Sequence, residues 1–503
     1  MKKLYIIIGL LSLMFYSCKK ELGTYDRLDV NKVIIDTILT RTIQLGDTLR
    51  IIPEIAQTLE KSEDNLEYSW YWYKFGFTEV DTLSKERNLN YKIPISTSLG
   101  SYTTICKVTD KKTGLFGKWM FTVNVAAANA EGVLVLSNLD GNAELGLLNL
   151  MKNYIGGLYY EANGSHPGQN PVSVGFTKVN AVPYLNSIII MCDDEKGGVV
   201  TNHMDFIKMY DYKKYFFVAP SVIKPQRYYN GISGLDARYD FIINNNRLHV
   251  REYRNAQKTE EKTFFKPELM PTSSEISPYA IADPFALLFY DNTNMKFVRV
   301  GVQSLQYLST AFLPIAIGTQ NPATMPFDPN NVGLKLVNMD IGWKKLGFGI
   351  FKDPATGQLY RLHFSFASMA FNASMSAYYK KPITDAPNLE SATSYVYSIL
   401  DPYLYYSKDN LLYRYDLEFD KTQAIYNLDT VIANSKIDKL YMRYYAGQTT
   451  HSGTLYLGSS EQGKSGKNGS LHVLKLDRSG TVSDVDTVYR NISGRIVSMD
   501  YKF

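Results

Sequence analysis

The sequence predicts an all-β protein, a β-sandwich near the N-terminus followed by a β-propeller with seven blades. Three observations carry that reading. Strand-like runs separated by turns recur every dozen or so residues over residues 33–127. Beyond them a strand, polar turn, strand unit recurs about seven times at intervals of roughly 40 to 60 residues. Tyrosine is in excess, at 39 of 503 residues, and aromatic side chains suit pleated, half-buried surfaces.

A chain of 503 residues exceeds one small core and implies two or three domains. Hydrophobic residues at 45% and charged residues at 20% are those of an ordinary folded protein. The net charge of +5 is small for this length, which argues against a nucleic-acid partner.

Residues 1–17 read as a signal peptide. Lys2 and Lys3 supply its positive end, and the apolar run from Leu4 to Phe15 is too short to remain as a membrane span. Ser17-Cys18 directly after that run resembles the bacterial lipobox, although Tyr16 departs from the usual small or aliphatic residue. The resemblance implies cleavage before Cys18 and lipid attachment there; the alternative is an ordinary secretory signal with a chance cysteine. Lys19-Lys20-Glu21 loosely resembles the surface-export signal of Bacteroidetes lipoproteins, and residues 18–32 then form a lipidated tether. Cys106 and Cys192 fall in apolar runs of different domains, so two buried free thiols are expected rather than a disulfide.

The sandwich, residues 33–127, has strand candidates at 49–53, 66–73, 101–110 and 117–125, with Trp70 and Trp119 as core residues. Tyr68-Ser69-Trp70 resembles the central Tyr-x-Trp strand of PKD (Ig-like) domains. Gly100-Ser101-Tyr102 with Val108-Thr109-Asp110 resembles their Gly-x-Tyr…Val-x-Asp strand and turn. With the lipobox, this is similar to PKD-like surface lipoproteins of Bacteroidetes, which accompany SusC/SusD-type outer-membrane importers.

Small residues from Ala126 to Gly132 make a linker, and residues 131–503 form the propeller. Its repeats are led by Asp409-Asn410 and the strand after it, where Tyr413, Tyr415, Leu417 and Phe419 share a face opposite Arg414, Asp416 and Glu418. Asp140-Gly141 and Asn245-Asn246 are equivalent turns. Residues 187–191 are expected to pair with 206–211, and residues 496–501 to close the ring beside 133–150. Six or eight blades, or one large sandwich, are the alternatives.

No catalytic motif is present: the chain lacks HExxH, GxSxG and a Walker loop. His249, His363 and His472 fall in second strands of hairpins, a structural placement rather than a metal set. Asp193-Asp194-Glu195 lacks the alternation of a calcium loop and reads as a solvated turn. Arg227, Tyr228 and Tyr229 combine a cation with two aromatics in an expected loop, the one candidate ligand contact, against which stands ordinary blade packing. The Pro-rich stretch 318–329 is a second candidate, as a partner-docking loop. Asp36-Thr37-Ile38, Asp47-Thr48-Leu49, Asp81-Thr82-Leu83, Asp429-Thr430-Val431 and Asp486-Thr487-Val488 resemble the Asp-Ser/Thr-aliphatic acceptor of Bacteroidetes O-glycosylation.

The expectation is a non-enzymatic outer-membrane lipoprotein without a cofactor, exposed at the cell surface. By resemblance it binds or positions an oligomeric nutrient, peptide or glycan, for a SusC/SusD-type importer. A propeller hydrolase or lyase, and a structural scaffold of the importer, are the alternatives.

Overall fold

The computed structural model describes residues 29–74, 80–94, 97–126, 129–177, 186–230, 239–252, 265, 273–283, 286–304, 307–308, 314–367, 374–443 and 453–502. The expected lipid attachment at Cys18 therefore lies outside the described residues. The chain divides into two units, residues 1–128 and 129–503.

The first unit is a β-sandwich. Its larger sheet runs in the order Arg41–Gln44, Phe116–Ala126, Gly100–Asp110, Leu66–Lys74 and Asp81–Ser84, with only the first pair parallel. Two short ladders, Val33–Ile35 with Ile55–Gln57 and Thr48–Ile51 with Leu89–Lys92, complete it. Alternation along Leu66–Lys74 sends Trp70 and Trp72 inward, where Trp70 faces Cys106 across the ladder. Both indoles keep a partner: Trp70 donates to Glu86 O at 2.9 Å and Trp72 stacks on Tyr102 at 4.4 Å. Trp119 is half-buried, packs on the same core and donates to Ile38 O. Asp110 is held below the usual carboxylate range, chiefly by the Asn31 amide and also by the Lys112 N–H.

The second unit contains seven antiparallel sheets among the described residues. Blade 1 comprises Gly132–Leu139, Asn142–Asn149 and Tyr154–Ile155, joined by Arg495–Lys502 as its first strand. Blade 2 runs from Pro171–Thr177 through Ser187–Cys192 and Gly198–Asn202 to Lys208–Asp211. Blade 3 has Pro225–Asn230, Tyr239–Asn244 and Arg247–Glu252. Blade 4 has Ile281–Asp283, Ala286–Asp291, Lys296–Ser304 and Tyr307–Leu308. Blade 5 has Lys335–Ile341, Gly347–Lys352, Leu359–Ala367 and Ser374–Pro382. Blade 6 has Ser394–Tyr397, Tyr403–Lys408, Leu411–Asp416 and Lys421–Asn427. Blade 7 has Ser435–Tyr441, Thr454–Glu461, Gly469–Leu476 and Val482–Ser493.

Hydrophobic packing turns the seven sheets into a ring. Leu134 and Leu136 of blade 1 meet Phe176 and Ile188 of blade 2, and Ile189 and Met191 of blade 2 meet Tyr228 and Ile242 of blade 3. Phe241 and Val250 meet Phe289 of blade 4, whose Leu288 and Phe297 meet Phe351 and Phe364 of blade 5. Phe348 and Ile350 meet Leu404 and Tyr415 of blade 6, and Leu412 meets Leu455 and Leu457 of blade 7. Leu471 and Val473 then return to Val133 and Val135 of blade 1. No sheet closes on itself; the circle is made by face-to-face contacts. Successive residues of one strand feed the clusters on its two sides, which is why these strands read as apolar runs rather than alternating ones.

The closing strand is as expected. Val133 pairs with Tyr501, Leu134 with Asp500 and Leu136 with Ser498. The hairpin turns follow their chemistry: Asp140, Asn245, Asn246 and Asp409 all adopt positive φ.

Three expectations are corrected. Residues 187–191 pair with Gly198–Asn202 across the Asp193–Gly197 turn, not with 206–211; Phe206 lies outside any strand at φ 59°. Phe419 is not on the packed face but is 74% exposed beyond the strand end. Arg227, Tyr228 and Tyr229 occupy the first strand of blade 3, not a loop. The Pro-rich stretch 318–329 packs back on its own domain, with Phe327 in the core between blades 4 and 5 and Gln320 bonded to both backbone groups of Ala377.

Candidate functional site at the propeller axis

Among the described residues the first strands of blades 1 and 2, 2 and 3, 4 and 5, 5 and 6, 6 and 7, and 7 and 1 pack on one another, so these strands form the inner edge of the ring. In blade 3, alternation sends Tyr228 one way and Arg227 and Tyr229 the other. Tyr228 is buried between blades 2 and 3, bonded to Asp240 at 3.0 Å and to the Thr177 hydroxyl. It lies so close to Gly175 that a Cβ there would stand 2.1 Å from its ring. The ring of Tyr229 lies 5.7 Å below the Arg227 guanidinium, and its hydroxyl donates to Pro278 O at 2.6 Å while accepting from Ala280 N at 3.0 Å. Tyr229 thereby fixes the chain entering blade 4.

Arg227 exchanges charge interactions with Asp500 of blade 1, Tyr279 before blade 4, Asp340 of blade 5 and Lys439 of blade 7. Asp500, Asp340 and Lys439 lie on the first strands of three other blades, as Arg227 does on its own, which places the four along the inner edge of the ring. Asp340 is exposed and Arg227, Lys439 and Asp500 are half-buried. Protein nevertheless surrounds them, and desolvation raises the Asp340 and Asp500 carboxyls to about 6, against the opposing pull of Arg227. Desolvation and the neighbouring Arg227 push the Lys439 ammonium down to about 7. Burial holds Tyr397 of blade 6 and Tyr441 of blade 7 far above the usual phenol range, so both remain hydroxyl donors.

The four charged groups alternate in sign by blade: negative on 1, positive on 3, negative on 5, positive on 7. Among the described residues none is engaged in an ion pair of 4.0 Å or less. Asp500 accepts from the N–H groups of Phe176 and Tyr501 at 2.7 and 2.8 Å, and Asp340 from that of Ile341 at 2.7 Å. Elsewhere, charges inside the ring are satisfied internally. Arg251 pairs with Asp240 and lies 4.0 Å from the Tyr215 ring centre, and Arg361 bonds Asp420 at 2.7 Å and Tyr415 at 2.6 Å.

The remaining candidates are structural. His472 is buried against Ser459 and Tyr426 and is depressed to about 4 by desolvation; His363 stacks on Phe348 at 4.2 Å; His249 is buried edge-on to Phe216. Asp194 accepts from three backbone N–H groups, including those of Lys196 and Gly197, as a turn residue does. Among the described residues no group of three or more His, Cys, Asp or Glu is gathered. Cys106 and Cys192 are buried free thiols, the former pushed up to about 12 by burial.

Of the three residues singled out in the sequence, the structure places Tyr228 in the core between blades 2 and 3 and Tyr229 against the core between blades 3 and 4, and only Arg227 has charge interactions that reach other blades. Asp340, Lys439 and Asp500 were missed. Their signal was a charge within the apolar first strand of a repeat, as in Met339-Asp340-Ile341 and Met499-Asp500-Tyr501.

The PKD-like family profile matches residues 18–171, which covers the sandwich and extends through the outer strands of blade 1. No curated protein sequence matches the chain significantly. Among solved structures, a quinonprotein alcohol dehydrogenase-like protein from Bacteroides thetaiotaomicron aligns with 93% of this chain and 97% of its own, at 11% identity and a TM-score of 0.40. AztD from Citrobacter koseri aligns with 79% of this chain and 94% of its own, at 10% identity and a TM-score of 0.32. The PQQ-bound aldose sugar dehydrogenase of Streptomyces coelicolor aligns with 61% of this chain and 95% of its own, at 13% identity and a TM-score of 0.31.

Proposed function

We propose that this chain is a non-enzymatic binding protein, anchored at the outer membrane through lipid on Cys18, that captures an oligomeric nutrient on the axis of its propeller. The observation that carries this reading is the set of charges without ion-pair partners among the described residues, Arg227, Asp340, Lys439 and Asp500, contributed by separate blades. Charges held by the scaffold without an ion-pair partner are suited to meeting a charged ligand, because the scaffold has already ordered them. Tethering would keep captured ligand at high local concentration beside a transporter, and a SusC/SusD-type importer is proposed as that partner on the resemblance of the sandwich and the lipobox to PKD-like surface lipoproteins.

The hydrolase alternative has one observation in its favour, the carboxylates Asp340 and Asp500 in the lumen. General acid and base roles need the two environments to separate the proton affinities. Asp500, however, has both oxygens engaged by backbone N–H groups, which leaves Asp340 without a second free carboxylate, so binding is the better account. Incubating the full chain with peptides and polysaccharides tests this: saturable binding without products supports the reading, and product formation reverses it. Labelling with a fatty-acid analogue tests the anchor, which Cys18→Ser should abolish. Pull-down from native membranes tests the importer partner; a scaffold would co-purify with importer components yet bind no ligand.

A further inference from the structure

We propose that the axial site takes a zwitterion, the free ends of an amino acid or short peptide, with the carboxylate on Arg227 and Lys439 and the ammonium on Asp340 and Asp500. This rests on the binding reading above and specifies its ligand class. The first ground is charge balance. Two cations and two carboxylates alternate around the ring, so a polyanion meets Asp340 and Asp500 and a polycation meets Arg227 and Lys439, each with like-charge repulsion. A ligand bearing one charge of each sign meets no net penalty.

The second ground is the state of the side chains. Arg227 offers a planar fork suited to a carboxylate, and no hydrogen bond or ion pair occupies it among the described residues. Asp340 has one oxygen taken by the Ile341 N–H and the other uncommitted among the described residues, whereas Asp500 has both oxygens engaged by backbone N–H groups. Arg227 and Asp340 are therefore the principal pair and Lys439 and Asp500 the supporting one. The third ground is desolvation. Enclosed charges regain little from neutral hydroxyls displacing water, but much from a fixed opposite charge. A neutral oligosaccharide is thus the weaker fit, despite the tyrosines nearby.

The test uses the full chain in detergent and isothermal titration with tri-alanine, its N-acetylated form, its C-terminal amide and maltotriose. Tri-alanine should bind saturably, and blocking either end should weaken binding at least about tenfold, as loss of a charge-assisted pair implies. In Arg227→Gln the penalty for amidation should shrink below about twofold, and in Asp340→Asn the penalty for acetylation should do the same. Thermal melts check that each variant is folded, and Lys439→Met serves as a second carboxylate-side variant. Failure of tri-alanine to bind, or indifference to blocked ends, overturns the zwitterion. Maltotriose binding that Arg227→Gln abolishes overturns it too, while leaving axial capture standing. Tri-alanine binding unchanged in both Arg227→Gln and Asp340→Asn overturns the axial site itself.

Discussion

Leu134 and Asp500 face each other across the strand pair that joins the two ends of the propeller. One residue of the pair feeds the core between blades 1 and 2, and the other reaches the axis. The joint that closes the ring thus also supplies one of its four axial charges.

Closure can be weakened without touching the axis. Ile496 is fully buried on the closing strand and rests on Gly458, whose missing side chain leaves the space it fills. Ile496→Ala should cost about 2–4 kcal/mol, read as an earlier denaturant midpoint, with ligand binding by the folded protein unchanged.

Tyr228 and Arg227 are neighbours with separate duties. Tyr228→Phe removes bonds to Asp240 and Thr177 in a buried interface and should cost about 1–3 kcal/mol of stability. Its ligand affinity should remain within about twofold, whereas Arg227→Gln should leave the melting temperature nearly unchanged and weaken axial binding at least about tenfold.

Asp340 should lower stability at neutral pH. Its folded proton affinity is raised from 3.8 to about 6 by desolvation, so its contribution is fully present below the unfolded value and is lost as pH rises through 6. An enclosed group shifted this far would account for about 3 kcal/mol; screening by lumen water reduces that to roughly 1 kcal/mol. Asp340→Asn should therefore melt higher than the parent at pH 8, with the difference vanishing near pH 4.

His472 works in the opposite sense. Desolvation lowers its proton affinity from 6.5 to about 4, with Arg490 adding to the effect. The unfolded chain then binds a proton that the folded chain refuses, and stability falls as pH drops from 6.5 towards 4. Urea titrations across that interval should show a loss of roughly 2–3 kcal/mol, which His472→Gln flattens.

Much of this architecture is legible in the sequence because turns and apolar runs are local. Asp140-Gly141 and Asn245-Asn246 announce hairpins by their backbone preferences, and the Trp70 strand announces a sandwich by its alternation. What could not be read depends on direction in space. Tyr228 and Tyr229 are adjacent and chemically alike, and only the placement of their strand sends one to the interface of blades 2 and 3 and the other to that of blades 3 and 4. The pairing of residues 187–191 was missed because Gly198-Val199-Val200-Thr201 is short and begins at a glycine that resembles more turn. Asp340, Lys439 and Asp500 are distant in the chain, so their assembly was invisible until the ring was closed.

That closure also has a consequence for biosynthesis. Strand Gly132–Leu139 is completed more than three hundred residues before Arg495–Lys502, its partner on the axial side. Until then the first blade presents an unpaired, strongly apolar edge, Val133-Leu134-Val135-Leu136, while six further blades are being made. Chaperone protection over that interval is expected, and any product that stops short of residue 495 carries an adhesive edge that marks it as unfinished. The seam is in effect a completeness check: the ring locks only when the whole propeller has been delivered.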